Sequence, residues 1–436
     1  MKKIIWPTKK LGDKDYFEIL GSGIEKFEGE KEYLSTSSIE GNKIISSEGK
    51  ITYLKRPSRA NMQPRLNSVW FAKMINSVKV YSFTKNNENE IYKYILSTGF
   101  CGILCNPEKV EPKYLEKVFL SKWFNNLKDS LASDKAIQKS LNNKDLENLQ
   151  IPIPPLNIQQ KIVKILDTVQ EANDIQEKII EKMKELKKSL MNLLFHYGLA
   201  GLRIKELMSC RVGELNKSDI EKLGLKLKKT EIGEIPEHWQ VVKIKDITIK
   251  IEQNDPSKNP LEKIKYIDVS SISNEYFKII EHKTYLGKDA PSRAKKILKE
   301  GDIIFATVRP YLKRIAFVSQ EYDGFYGSTA FCVLRCNIEK VLPYYLFYYV
   351  STDKFVFKVS GYQTGSGYPA ITDDDIKNEV IPLPPITEQK EIAEILQTID
   401  QKIEIEKKKK ELYQELFKTI LNKIINQEID ISLLNY

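Results

Sequence analysis

Two short segments of this 436-residue chain concentrate side chains that can form hydrogen bonds with nucleic acid bases. Residues 56–65 read RPSRANMQPR and residues 361–368 read GYQTGSGY. Arginine pairs with guanine edges, asparagine and glutamine pair with adenine, and glycine lets a backbone approach a phosphate. The candidate DNA-binding residues are Arg56, Arg59, Asn61, Gln63, Arg65, Lys135, Gln138, Lys139, Arg293, Arg309, Arg314, Gln363, Ser366 and Tyr368.

A structural alternative applies to part of this set. Any one arginine could form a surface ion pair instead of a base contact. The tetrapeptide Pro-Ser-Arg-Ala occurs twice, at residues 57–60 and 291–294, which favours a turn for Arg59 and Arg293. We therefore give more weight to the loops that differ between the two halves of the chain.

The sequence shows no catalytic motif. The three histidines, His196, His238 and His282, match neither a metal site nor a nucleophile relay. There is no phosphate-binding loop, no Asn-Pro-Pro-aromatic motif of amino-methyltransferases and no nuclease carboxylate cluster in a supporting context. The cysteine pairs 101/105 and 332/336 lie in apolar segments without further ligands, so we predict buried thiols and no metal.

The chain consists of one unit used twice. The hinge Ile-Pro-Ile-Pro-Pro at residues 151–155 recurs as Ile-Pro-Leu-Pro-Pro at residues 381–385, a shift of 230. Upstream matches, including the two cysteine pairs, have shifts of 231 to 234. Short alternating apolar stretches at residues 33–39, 266–272 and 303–308 favour strands, and prolines 112 and 343 favour helix starts at residues 112–127 and 343–357. Each module is therefore predicted to be α+β, with a mixed sheet and a few helices.

A long helix is predicted after each hinge, because apolar residues recur there in steps of three and four. The first runs from about residue 158 to residue 197. The second has charged residues in the middle of its apolar stripe. We expect the two helices to pair as an antiparallel coiled coil. The predicted contact residues are Ile162, Ile165, Val169, Ile179, Met183, Leu186 and Leu190 in the first helix, and Ile392, Ile395, Ile399, Tyr413, Leu416 and Ile420 in the second.

These patterns predict five segments. Residues 1–150 form a first module, 151–200 a hinge and helix, 201–237 a linker, 238–380 a second module, and 381–436 a second hinge and helix. The first module has 25 basic and 18 acidic residues, a net charge of +7, which suits a polyanion, whereas residues 231–374 carry 20 and 19. No apolar run is long enough for a membrane span, so we expect a cytoplasmic protein without membrane contact.

The duplicated modules, the two Ile-Pro-x-Pro-Pro hinges, Gln159 and Gln389 just after them, and the run GEIPEHW at residues 233–239 closely resemble the specificity subunit of type I restriction-modification enzymes. The resemblance implies that each module is a target recognition domain for one half of a split, asymmetric site in double-stranded DNA. It also implies that the helices dock two methyltransferase subunits, and that restriction subunits complete the complex. Adenine methylation and ATP-dependent cleavage would belong to those partners, which bind S-adenosylmethionine, ATP and magnesium, and no cofactor is expected on this chain.

Two other classes of function are weighed against this one. A self-contained DNA-modifying enzyme would need a cofactor loop and a catalytic motif. A coiled-coil scaffold that binds proteins would explain the long helices but not the duplicated polar loops. A DNA-binding specificity subunit accounts for both features, and it is the function that the sequence predicts.

Overall fold

The structure, a computed structural model, describes residues 6–131, 143–202, 225–364 and 369–429. It divides into two compact units. The first unit comprises Met1–Lys178 and Lys407–Tyr436, and the second comprises Ile179–Glu406. Each unit therefore contains one module together with a portion of each long helix.

The first module contains twelve strands and four short helices among its described residues. The strands are β1 (Thr8–Lys10), β2 (Phe17–Leu20), β3 (Lys31–Leu34), β4 (Ile39–Glu40), β5 (Lys43–Ile44), β6 (Lys50–Ile51), β7 (Ala60–Met62), β8 (Ser68–Ala72), β9 (Val80–Phe83), β10 (Tyr94–Ser97), β11 (Phe100–Cys105) and β12 (Gln150–Pro152). The helices are α1 (Asn89–Lys93), α2 (Pro112–Leu120), α3 (Lys122–Ser130) and α4 (Asn143–Glu147). The first long helix, α5 (Leu156–Tyr197), follows.

The second module and its entry hairpin contain fourteen strands and four short helices among the described residues. The strands are β13 (Leu227–Thr230), β14 (Gly233–Pro236), β15 (Gln240–Lys243), β16 (Thr248–Ile249), β17 (Lys263–Ile267), β18 (Ile272–Ser273), β19 (Lys278–Ile279), β20 (Lys283–Leu286), β21 (Ala294–Ile297), β22 (Ile303–Ala306), β23 (Ile315–Phe317), β24 (Tyr326–Ser328), β25 (Phe331–Cys336) and β26 (Val380–Leu383). The helices are α6 (Ile244–Ile247), α7 (Pro343–Val350), α8 (Asp353–Ser360) and α9 (Asp373–Lys377). The second long helix is α10 (Ile386–Ile425).

The two modules have the same sheet topology. Each has a four-stranded sheet with all neighbours antiparallel, in the order β2-β11-β8-β9 in the first module and β16-β25-β22-β23 in the second. Each also has a mixed sheet, β6-β3-β10-β7 or β20-β17-β24-β21, whose central pair is parallel. The predicted duplication of an α+β module is therefore confirmed at the level of strand order.

Local signals explain two differences from the predicted elements. The helical segments expected at residues 112–127 and 343–357 are each two helices, because Ser121 and Thr352 cap the N-termini of α3 and α8. The strands expected at residues 33–39 and 266–272 end early. Ser35 and Asp268 form capping boxes there that start short 3-10 turns.

Each hinge is fixed to its own module by a buried glutamine and a buried tyrosine. The Gln159 side chain accepts a hydrogen bond from the Glu111 backbone N–H at 2.9 Å and donates to the Lys109 and Pro154 carbonyls at 2.9 and 2.8 Å. The Tyr114 hydroxyl donates to the Pro152 carbonyl at 2.8 Å. These contacts join α2, the hinge and the first turn of α5.

The second hinge repeats this arrangement. Gln389 accepts from the Leu342 N–H at 2.8 Å and donates to the carbonyls of Lys340 and Pro384 at 3.1 and 2.9 Å. The Tyr345 hydroxyl donates to Pro382 at 2.8 Å. The direction in which each long helix leaves its module is therefore set by the same four contacts in both copies.

The long helices run antiparallel in each unit, as predicted. In the first unit, the beginning of α5 and the end of α10 share one core, which includes Ile162 and Ile425. In the second unit, the end of α5 and the beginning of α10 share another, which includes Leu194 and Ile392. The ion pairs Glu177–Lys410 and Lys187–Asp400, one in each unit, have residue numbers that add up to 587, as an antiparallel register requires.

In α5, several residues on the buried contact face lie one position away from the residues that were predicted to be there. The buried residues include Ile162, Leu166, Gln176, Ile180, Leu190 and Leu194, which are spaced in steps that fit four and three. Ile162 and Leu190, two of the predicted helix or partner contacts, lie on this buried face. Ile179 and Leu186 lie off it, because they are 39% and 37% exposed. The predicted residues Ile165, Val169 and Met183 are half-buried.

The same offset occurs in α10. Ile392 and Ile399 are buried as predicted, and Ile395, Tyr413 and Ile420 are half-buried. Leu416 is 44% exposed and does not lie on the contact face. Adjacent apolar residues occur at 165/166, 179/180 and 395/396. The heptad pattern alone is therefore compatible with either residue of each pair facing the other helix.

Four of the cysteines, Cys101, Cys105, Cys332 and Cys336, are reduced and buried, as predicted. Burial raises the pKa of the Cys101 and Cys336 thiols to about 12, so both stay protonated and inert near neutral pH. Over the described ranges, no group of three or more His, Cys, Asp and Glu residues is placed to hold a metal ion. No helix in the same ranges has the length and apolar character needed to span a bilayer.

Candidate nucleic-acid interface

The Pro-Ser-Arg-Ala element forms the same turn in both modules. In the first module the Ala60 N–H donates to Pro57 at 2.9 Å, and the Thr98 N–H donates to the Arg59 carbonyl at 2.8 Å. In the second, Ala294 and Thr329 make the corresponding bonds to Pro291 and Arg293, both at 2.8 Å. The alanines are buried and both arginine side chains are exposed. The turn is therefore a structural element that also presents one arginine to solvent in each module.

The strand that follows this turn in the first module exposes two amide side chains. Ala60, Met62 and Pro64 are buried, whereas Asn61 and Gln63 between them are half-buried. Asn61 lies in β7 and Gln63 follows the strand directly; the alternating burial of residues 60–64 places both on the side opposite Ala60 and Met62, roughly 7 Å apart along the chain. β7 is at the edge of its sheet. This edge can present two adenine-reading side chains next to Arg59.

Arginines on either side of the turn differ in how firmly they are held. The Arg56 guanidinium lies 4.4 Å from the Tyr53 ring centroid and donates to the Tyr53 carbonyl at 2.5 Å. Arg65 lies 3.7 Å from the Glu18 carboxylate, and both side chains are exposed. An exposed ion pair of this kind contributes little stability, so Arg65 can exchange it for a phosphate at small cost.

In the second module, the structure brings Arg309 next to the segment that contains Gln363. The Arg309 N–H donates to the Pro369 carbonyl at 2.8 Å, and Thr364 and Ala370 form a two-way backbone pair at 3.1 and 3.2 Å. Gln363 is half-buried beside this pair. The described residues on either side of positions 365–368 therefore pair with each other, and Pro369 bonds to the loop after β22.

The loop after β22 has an unusual backbone. Arg309 and Lys313 both adopt left-handed conformations, with φ of 49° and 54°. Such conformations are costly for residues with a side chain and persist where surrounding contacts hold them. They flank a 3-10 turn at Pro310–Leu312, which exposes Tyr311, whereas Lys313 pairs with Asp353 of α8.

Arg314 has a role inside the module. Its Nη1 donates to the carbonyls of Val269, Ser270 and Ile272 at 2.9, 3.3 and 3.1 Å. These carbonyls end the 3-10 turn that follows β17. A contact between Arg314 and DNA stays a prediction, and it would have to use the guanidinium face that these bonds leave open.

The corresponding loop of the first module has different chemistry. The loop after β8 begins at Lys73, whose N–H donates to the Gly99 carbonyl at 2.9 Å. The loop after β22 begins at Thr307, whose N–H donates to the Ala330 carbonyl at the same distance. The first loop then continues through the exposed residues Met74 and Val78. A buried lysine donates hydrogen bonds to the backbone of this loop. That lysine, Lys128, is buried and donates to Met74 and Ser77 at 3.0 and 2.7 Å. Desolvation lowers its pKa. Sequence reasoning missed this contact, because nothing local identifies Lys128 as a buried cation.

Some predicted residues lie outside the described part of the chain. These are Lys135, Gln138, Lys139, Ser366 and Tyr368. Their contacts with DNA stay predictions.

A small hairpin in each module contacts the long helices of its unit through a lysine. Lys43 in β5 lies 2.6 Å from Asp174 of α5, and Lys278 in β19 lies 3.2 Å from Glu404 of α10. Asp174 and Glu404 are equivalent residues of the repeat, with a shift of 230. Each hairpin therefore makes a corresponding ion pair with the long helix that follows its own module.

The fold and these surfaces define a class of protein: two copies of one recognition module, with different exposed loops, joined to paired long helices. Comparison with known proteins identifies the family. The profile of the type I restriction modification DNA specificity domain matches twice, at residues 6–185 and 236–414. The chain belongs to this family, and its predicted identity as a specificity subunit, which recognises a DNA target, is confirmed.

Individual relatives agree with this assignment. A protein assigned as the type I restriction enzyme MjaX specificity subunit of Methanocaldococcus jannaschii is 27% identical over 97% of this chain and 93% of its own length. The MjaVIII specificity subunit of the same organism is 31% identical over 68% of this chain and 66% of its own. A chain from a solved type I restriction-modification system has a similar fold, with a TM-score of 0.59 and 19% identity over 96% of this chain and 97% of that one. None of these comparisons favours the coiled-coil scaffold alternative.

Proposed function

We propose that each module reads one half of a bipartite, asymmetric target in double-stranded DNA, within a complex whose catalytic activities belong to partner chains. One observation carries this proposal: the two modules share equivalent backbone hydrogen bonds, whereas their exposed loops differ. The turn at Arg59 and Arg293 is the same in both modules. The loops after β8 and β22 begin with equivalent backbone bonds and then diverge in sequence, KMINSVK at residues 73–79 against TVRPYLKR at residues 307–314. Two modules with the same backbone scaffold and different contact residues would recognise two different DNA sequences.

The long helices carry a second repeated surface that suits partner subunits. Ile175 and Ile405 occupy equivalent positions and are 57% and 53% exposed, and Leu186 and Leu416, also equivalent, are 37% and 44% exposed. Each unit contains one isoleucine and one leucine of this set. Exposed apolar side chains on a helix pair are typical of a site that another helix covers. Because the set occurs twice, it would dock two copies of one partner, which we take to be the methyltransferase subunit.

The partners would supply the chemistry. In this proposal they bind S-adenosylmethionine, ATP and magnesium, methylate adenine in both half-sites, and recruit restriction subunits for cleavage. This chain would contribute recognition and spacing.

The test is to map methylated adenines in a host that expresses the chain together with its methyltransferase. We expect a split motif with an unread spacer. Replacing the interior of the loop after β22, residues 308–313, by the interior of the loop after β8, residues 74–78, keeps Thr307 and Arg314 and should change one half of the motif while leaving the other intact. A single continuous motif, or a loop exchange that alters both halves together, would contradict the two-reader proposal.

A further inference from the structure

A half-buried charge cluster, in which the Lys187 side chain is 20% and the Asp400 side chain 40% exposed, joins the second module to both long helices of its unit. The Lys187 ammonium group of α5 lies 2.6 and 2.8 Å from the two carboxylate oxygens of Asp400 in α10. The Tyr348 hydroxyl of α7 donates to the same carboxylate at 2.8 Å, and Lys187 lies 5.0 Å from the Tyr348 ring centroid. Burial, together with the Asp400 charge, raises the pKa of Tyr348, so its hydroxyl stays protonated and acts as a donor.

The first unit has a corresponding cluster with a different arrangement. The Lys117 ammonium group of α2 lies 2.6 Å from Asp167 of α5 and 5.5 Å from the ring centroid of Phe417 in α10. Lys117 is 1% exposed. Lys117 also lies 3.9 Å from the buried Glu116 carboxylate. Each cluster therefore contains one lysine, one aromatic ring and one aspartate from the helix that follows its own module, and the first cluster contains Glu116 as well.

The repeat shows that the lysine and the aromatic residue have exchanged places. Lys117 and Tyr348 are equivalent, with the shift of 231 that also relates Tyr114 to Tyr345. Lys187 and Phe417 are equivalent, with the shift of 230 of the hinges. The cation is on the module in the first unit and on the crossing helix in the second.

We infer that this exchange makes the two halves of the chain pair with each other and disfavours pairing of like halves from a second copy of the chain. If two first halves paired, Lys187 of one copy would take the place of Phe417 beside the buried Lys117 of the other. Two ammonium groups would then lie together where one now faces Asp167 and Glu116. If two second halves paired, Phe417 would replace Lys187, and Asp400 would keep the Tyr348 hydroxyl but lose its cation. Like charges in contact and a half-buried carboxylate without its cation both disfavour the wrong partner.

The test begins with the full chain, purified with a specific protease site inserted within residues 203–224 and then cleaved. Isotope-labelled and unlabelled samples are denatured together, refolded by dilution and weighed by native mass spectrometry. Pairs of unlike halves should exceed pairs of first halves by at least about tenfold. Lys187→Phe should raise the pairs of first halves at least about tenfold, and Lys178→Phe, the same change at an exposed position of α5, should not. Equal amounts of like and unlike pairs, or equal effects of the two variants, would overturn the inference.

A second measurement on the uncleaved chain does not depend on refolding of the pieces. Phe417→Lys alone brings a second cation to Lys117 and should lower the melting temperature. Adding Lys117→Tyr gives the first unit the lysine and tyrosine positions of the second unit and should recover most of the loss. If the double variant shows only the sum of the two single effects, the contact is ordinary packing and the inference fails.

Discussion

Replacing Gln389 by alanine should destabilise the second unit strongly, since this buried amide makes three hydrogen bonds. The substitution leaves the Leu342 N–H and the carbonyls of Lys340 and Pro384 without their partner. Each buried polar group left unpaired costs about 1 to 3 kcal/mol, and water entering the space left by the side chain offsets part of this. We expect a loss of about 3 kcal/mol. For a unit of this size, that is a fall in melting temperature of about 6 to 12 °C.

The assay is thermal unfolding with hydrogen exchange to locate the change. Exchange should accelerate in α7 and the first turn of α10. Gln401→Ala, at an exposed position of the same helix, is the control and should stay within about 0.5 kcal/mol of the parent. Gln159→Ala should produce the same loss in the first unit, because its three bonds are equivalent. An effect of Gln389→Ala no larger than that of Gln401→Ala would refute the view that this glutamine holds the hinge.

The remaining predictions concern the helix contact face, the docking surface and the reading loops. Ile180→Asp should cost about 3 to 5 kcal/mol in thermal unfolding, whereas Ile179→Asp, one residue away but exposed, should cost less than about 1; equal losses would contradict the observed offset. Leu416→Asp should abolish co-purification with the methyltransferase without lowering the melting temperature, and retained co-purification would exclude this docking site. Gln363→Ala should relax one half of the methylated motif by about 1 to 3 kcal/mol per lost base contact, and Arg56→Ala should affect only the other half.

The sequence predicted the duplication and the long helices well, because both depend on local patterns. The hinge motif placed the start of the first helix at residue 158, two residues after its observed start at Leu156. The choice between Ile179 and Ile180 for the contact face could not be made in this way. Both are isoleucines, and what decides between them is the rotation of the helix against its partner. That rotation brings Lys187 to Asp400 and Tyr348, a polar contact that no apolar pattern reveals.

The candidate interface was less predictable, because the role of an arginine depends on residues distant in sequence. Arg59 and Arg314 look alike in the sequence as basic residues in polar surroundings. One is exposed on a tight turn, and the other donates to carbonyls 42 to 45 residues away. The proximity of Arg309 to Gln363 likewise follows from pairing between segments 60 residues apart. Composition identified the right kind of residue, but only the fold separates those that can reach DNA from those that hold a loop.

The duplication gives an internal comparison that separates three roles of side chains. Contacts kept identical in both copies, such as Gln159 and Gln389, hold each helix to its module, because both modules need the same geometry. The clusters at Lys117 and Lys187 both contain a lysine, an aromatic ring and an aspartate, but the lysine and the aromatic residue exchange positions. This exchange is useful only if the two halves must be distinguished from each other. The loops after β8 and β22 are both basic but differ in sequence, as expected where each half must meet a different ligand surface. Whether a residue is kept, exchanged or changed between the two copies is therefore evidence of its role, even within a single chain.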